Sequence, residues 1–103
     1  MNPFVFDLSG NSNHQRMPVL TDKNAMKMRS GMVILHSGEE VGTHNTNDKE
    51  ELIIVLEGKA TVEIDKQVFA EVQSGAGVYI PSRTSHNVSN RADSKLRYIY
   101  IVS

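Results

Sequence analysis

The residues best suited to chemistry lie in the segment 38–58, where His44, Thr46 and Glu51 flank the polar run 47–50. If that run is the loop of a hairpin, Thr46 faces Glu51, and alternation along the strands places His44 on the same face. An imidazole and a carboxylate then lie diagonally across the hairpin, within joint reach of one ion. Such a pair suits Fe, Mn, Ni or Zn better than Ca or Mg, which prefer oxygen ligands.

The same face would carry Ile53 and Val55 as the apolar floor of a pocket. Two residues seven positions apart are weak evidence by themselves. The alternative is that His44 is a surface residue beside a loop and Glu51 the solvated end of a charge run. A second segment, residues 75–90, favours a site, because an alternating apolar strand there ends in a proline turn and His86 opens the next strand.

Together the two segments resemble the signature motifs of the cupin superfamily, G(X)5HXH(X)3,4E(X)6G and G(X)5PXG(X)2H(X)3N. The resemblance covers roughly residues 31–102, with 16 residues between the motifs. The matching positions are Gly38, His44, Glu51 and Gly58 in the first motif and Gly75, Pro81, His86 and Asn90 in the second.

This resemblance implies a small single-domain cupin of bacterial type. The fold expected from it is all-β, a double-stranded β-helix or jelly-roll barrel whose interior carries metal ligands from both motifs. On that pattern His44, Glu51 and His86 fall on ligand positions for a divalent transition metal, Fe, Mn, Ni or Zn.

Thr46 departs from the first motif because it replaces the second histidine, which leaves three of the four usual protein ligands. Two histidines and one carboxylate still form a workable set with open positions. The Thr46 hydroxyl is a poor ligand, but it could hydrogen-bond a metal-bound water. The alternative is a metal-free pocket in which these residues only hydrogen-bond a ligand.

Arg83 departs from the second motif, where glycine is usual. A left-handed conformation there would cost a non-glycine residue about 1–2 kcal/mol, so the turn could take another shape. Arg83 is then either at the pocket mouth, paired with a carboxylate or phosphate of a ligand, or a solvated turn residue. His14 and His36 are predicted to be surface residues, with His36 as an alternative fourth ligand.

Short β-branched runs separated by turn residues predict strands throughout the chain. Their close spacing indicates a sandwich or barrel. Residues 9–25 show no clear pattern, and 9–13 are expected to form a loop. The predicted strands lie near residues 4–8, 27–35, 42–46, 52–56, 60–64, 68–72, 77–80, 86–89 and 96–102.

The composition limits the function classes. A length of 103 residues fits one domain over 1–103, with the barrel at 31–102 after an N-terminal strand and loop at 1–30. A net charge of -1 without a basic cluster argues against nucleic-acid and membrane partners. The absence of cysteine excludes disulfides and thiolate sites. No signal peptide or membrane span is evident, so a cytoplasmic location is expected.

Three functions fit these observations. The first is a metal-dependent enzyme, similar to cupin dioxygenases or isomerases, acting on a small polar molecule. The second is a non-catalytic module that binds or senses a small ligand, and the third is a structural protein with a vestigial pocket. Leu52, Ile54 and Leu56 should point away from the ligand face, and this apolar face must be covered by the second sheet or by another subunit. The resemblance to cupins favours a homodimer.

Overall fold

The computed structural model describes residues 1–9 and 15–103, and within them nine strands form two antiparallel sheets. This confirms the predicted all-β class. The first sheet has the spatial order β1 (Arg16–Leu20), β2 (Arg29–Leu35), β9 (Leu96–Val102), β4 (Glu51–Glu57) and β7 (Gly77–Ile80). The second has the order β3 (His44–Asn45), β8 (Ser85–Ser89), β5 (Lys59–Ile64) and β6 (Gln67–Gln73).

Side-chain alternation along β4 shows how the two sheets enclose a core. Ile53 and Val55 are buried, as is Glu51 at the start of the strand. Leu52 and Ile54 are 40% and 37% exposed on the other face, which confirms their predicted outward direction. The core is built mainly of aliphatic side chains from both sheets, because alternate residues of facing strands meet between them.

The predicted hairpin between β3 and β4 is wrong. His44 pairs with His86 on β8, whereas Glu51 lies in the other sheet and pairs with residues of β7 and β9. The hydrogen bonds at the end of β3 explain the difference, because the Thr46 amide donates to the carbonyl of Thr84 rather than to β4. Motif one therefore spans both sheets.

The N-terminal prediction is also wrong, because residues 4–8 form no strand. Phe4 and Phe6 remain half exposed, and their ring centroids lie 6.3 Å apart. The sheet edge beside β2 is occupied instead by β1, which the sequence did not predict. The loop predicted at 9–13 falls largely outside the described residues, as does His14.

Arg83 adopts the left-handed conformation that its motif position normally gives to glycine, with a φ of 55°. The expectation of a different turn shape is therefore wrong. The Arg83 amide donates to the Asn47 carbonyl at 2.6 Å, and this bond ties the turn to the loop between β3 and β4 within motif one. In the part of the chain that the structure describes, no helix is long and apolar enough to cross a membrane.

Candidate metal centre

The structure brings His44, Glu51 and His86 together, with one potential ligand atom from each lying within 4.8 Å of the others. The two imidazoles face each other across the β3–β8 pair, with ring centroids 4.0 Å apart and an interplanar angle of 61°. Glu51 reaches them from the opposite sheet. The group can therefore hold one metal ion between the two layers of the fold.

Backbone carbonyls orient both imidazoles. Nδ1 of His44 lies 2.9 Å from the Gly42 carbonyl oxygen, and Nδ1 of His86 lies 3.2 Å from that of Thr84. Since a carbonyl can only accept, each Nδ1 must carry the proton. In the neutral rings the lone pair is then on Nε2, which is the arrangement that metal-binding histidines generally need.

The buried ring nitrogen Nε2 of His86 has an acceptor nearby but no well-formed hydrogen bond. Its Nε2 lies 3.3 Å from Oε1 of Glu51, but the atom makes no hydrogen bond of acceptable geometry. Burial lowers the pKa of His86, but contact with the Glu51 carboxylate and the Thr84 carbonyl outweighs it, so the pKa is raised. A metal ion would supply the partner that Nε2 lacks, so this donor set fits the metal that the motifs imply.

A cavity of about 210 Å³ opens beside these residues. Thr46 lines it. Ile53 and Val55 do not line it, and both are buried in the core. Arg83 is exposed on its turn, outside the lining. The described residues that line the cavity are Arg16, Val41, His44, Asn45, Thr46, Glu51, Val88, Tyr98, Tyr100 and Val102.

Several lining residues were not predicted from the sequence. Tyr98, Tyr100 and Val102 occupy every second position of β9 and therefore share one face of the strand. This alternation in the sequence could have placed all three on the cavity side. Burial is the main cause that raises the pKa of Tyr98 far above its usual value, and the Glu51 carboxylate adds to it. Its phenol therefore stays protonated and can donate a hydrogen bond.

His36 is exposed and outside the group of three.

Thr46 has a structural task as well as a place in the cavity wall. Its hydroxyl donates to the Pro81 carbonyl at 2.7 Å and accepts from the Thr84 amide at 3.0 Å. With its proton committed to Pro81, the hydroxyl can serve a metal-bound water only as an acceptor. Thr46 thus joins the middle of motif one, just after β3, to the proline turn of motif two.

We expect Thr46→Val to lower the free energy of unfolding by about 1–3 kcal/mol, because it removes two part-buried hydrogen bonds that are worth about 0.5–1.5 kcal/mol each. Denaturant titration measures the change, and Thr43→Val is the control at a nearby exposed threonine. A Thr46→Val protein as stable as the Thr43→Val protein would show that the two hydrogen bonds contribute nothing.

Comparison with known proteins places this geometry in a family. Residues 31–102 match the family described as the cupin domain. Over 73 residues the chain is 29% identical to the polyketide synthase CurC of Streptomyces cyaneus, a match that covers 71% of this chain and 47% of CurC. The chain spans about half the length of the curated relatives it matches, 47% and 58%.

Solved structures show the same fold at low sequence identity. BH2720 of Bacillus halodurans superposes with a TM-score of 0.84 at 21% identity, covering 98% of this chain and 80% of that one. An uncharacterised conserved protein with a double-stranded β-helix domain, from Klebsiella pneumoniae subsp. pneumoniae MGH 78578, gives 0.83 at 15% identity, covering 99% and 90%. With its two motifs, its double-stranded β-helix and the family match over most of its length, this chain belongs to the cupin family.

Proposed function

We propose that this protein binds a divalent transition metal, Fe, Mn, Ni or Zn, through His44, Glu51 and His86, and uses it on a small polar molecule in the adjacent cavity. The observation that carries the proposal is the buried Nε2 of His86, which makes no well-formed hydrogen bond to any residue that the structure describes. Leaving a buried polar atom unpaired costs about 1–3 kcal/mol. Coordination of a metal at that lone pair would remove the cost.

The chemistry of the donor set supports a metal that remains open to a ligand. Two imidazoles and one carboxylate leave coordination positions free on the cavity side. A metal bound there supplies a Lewis acid that can polarise a bound oxygen or activate water. The chain contributes fixed imidazole orientations from the Gly42 and Thr84 carbonyls, and the Val41 and Val88 side chains add apolar surface to the cavity lining.

We favour a metal-dependent enzyme, dioxygenase-like or isomerase-like, as the function of this site. A second candidate, a non-catalytic binding or sensing module, is supported by the approach of Glu51 to His86. The 3.3 Å separation of the two side chains gives the carboxylate a charge partner without metal whenever His86 is protonated. The negative charge of Glu51 can therefore be compensated without a metal, and a ligand could bind directly in the metal-free pocket.

The remaining partner and location predictions stay predictions. Exposed Leu52, Ile54 and Leu56 on the outer face of β4 support a homodimer that would cover them. A single domain over 1–103, a cytoplasmic location and the lack of nucleic-acid or membrane partners rest on composition alone.

Thermal unfolding of chelator-treated protein with added metals tests the proposal. At a free metal concentration 100-fold above Kd, binding should stabilise the fold by about 2.7 kcal/mol, which raises the Tm of a domain this size by roughly 10 °C. Mg²⁺ and Ca²⁺ serve as controls and should have little effect. No shift with any of Fe, Mn, Ni or Zn would contradict the proposal, and stabilisation by small acids or sugars without metal would favour the second candidate.

A further inference from the structure

The charges around the cavity are few and unequal. Among the lining residues in the described ranges 1–9 and 15–103, Arg16 is the only permanent cation and Glu51 the only carboxylate. A divalent metal held beside Glu51 adds two positive charges. The metal-loaded cavity would then have a clear excess of positive charge, which favours an anionic ligand over a neutral one.

Arg16 is held at the cavity by packing rather than by an ion pair. Its guanidinium carbon lies 5.3 Å from the centroid of the Tyr100 ring. The Tyr100 ring in turn packs over Gly31 of β2. A Cβ added at Gly31 would lie only 2.7 Å from the Tyr100 phenol oxygen. Within residues 1–9 and 15–103, no carboxylate forms a salt bridge with Arg16, so its positive charge is available to a ligand.

We propose that the cavity takes a small carboxylate and that Arg16 is the residue that recognises the carboxylate group. This inference rests on the proposed function, because the other end of the ligand would meet the metal held by His44, Glu51 and His86. The planar fork of an arginine matches a carboxylate with two parallel hydrogen bonds.

The size and lining of the cavity narrow the ligand further. A volume of about 210 Å³ lies below the roughly 300–1,000 Å³ of pockets for drug-sized ligands, so an acid of a few carbons is expected. Tyr98 also lines the cavity, and its phenol offers a further hydrogen-bond donor to an anion. Phosphate sites typically use clustered backbone amides at a helix N-terminus or glycine-rich loop. This lining is made largely of strand residues, which favours a carboxylate.

Calorimetry on the metal-loaded protein tests the inference, with the metal chosen by the largest rise in Tm. Malonate is the carboxylate probe, malonamide its uncharged counterpart, and inorganic phosphate the rival anion. Arg16→Gln should weaken malonate binding by at least about tenfold, as expected for a lost charged hydrogen bond, and should leave metal affinity unchanged. Arg16→Lys should recover part of the loss, because it restores the charge without the fork.

Arg91→Gln is the matched control, since Arg91 is exposed and outside the cavity. The inference is supported if malonate binds better than malonamide and phosphate and only the Arg16 variants weaken it. It is overturned if the protein holds metal but malonate binding is unchanged by Arg16→Gln, or if phosphate binds and malonate does not. A wild-type protein that takes up no metal would instead overturn the proposed function, and this inference with it.

Discussion

Gly58→Ala should destabilise the protein by about 2–5 kcal/mol, a large part of the stability of a small domain. Gly58 has a φ of 83°, a conformation that costs an alanine about 1–2 kcal/mol. An added Cβ would also lie 2.3 Å from the Lys95 carbonyl oxygen and 3.0 Å from the Leu96 Cα. Both are backbone atoms, so the clash can be relieved only by moving the chain, at a further cost of about 1–3 kcal/mol.

Gly75→Ala is a matched control for this prediction. Gly75 has a similar φ of 88°, but a Cβ there would meet nothing within 4 Å. Its substitution should therefore cost only the conformational part, about 1–2 kcal/mol. Denaturant unfolding of both variants separates the two contributions. Equal losses at Gly58 and Gly75 would show that close packing against the start of β9 does not explain the glycine that ends motif one.

His44→Ala should weaken metal binding by at least about 100-fold. Loss of a residue that merely orients a metal ligand can weaken affinity by up to about 100-fold, and loss of the ligand itself should cost at least as much. His44 is exposed, so this variant should fold and keep a stability close to that of the wild type. His86→Ala should remove metal binding as well, but with an added loss of stability, since His86 is 1% exposed and packs in the interior. Competition titration against a chelator measures the affinity of each.

His36→Ala provides the control for the ligand variants, because His36 is an exposed histidine outside the group of three. It should bind metal as the wild type does. If His44→Ala binds metal normally while His36→Ala does not, the ligand set has been assigned to the wrong histidines. If all three variants bind alike, the metal is held elsewhere.

The sequence predicted the proximity of His44, Glu51 and His86 for a reason that the structure clarifies. Spacing within each motif fixes where a side chain falls on its strand, and the two motifs together specify which strands must meet. The hairpin argument reached the same pair, His44 and Glu51, through the wrong contact. Alternation shows which face a residue occupies, but it does not show which strand lies next to it.

The same limit explains what the sequence missed at the N-terminus. The segment at residues 4–8 has the apolar character of a strand, but a strand also needs a partner edge. The edge beside β2 is taken by β1, whose short run contains Pro18 and a register irregularity near it. Such a strand has no clean alternation, so Arg16 could not be assigned to the cavity from the sequence.

Arg83 shows a further limit, concerning backbone conformation. The motif position predicted glycine, and the substitution suggested a different turn. The structure keeps the left-handed conformation and the hydrogen bond from the Arg83 amide to Asn47. A long-range bond of this kind can offset the local cost of a positive φ, and local sequence carries no record of it.

Anomalous scattering at the metal edges, from crystals of protein purified without chelator, can locate the bound metal. Our expectation is one peak between the two sheets, about 2.0–2.2 Å from Nε2 of His44, Nε2 of His86 and a Glu51 oxygen. Metal-loaded crystals that show no peak there, with His86 Nε2 hydrogen-bonded to Glu51 or to water instead, would contradict it.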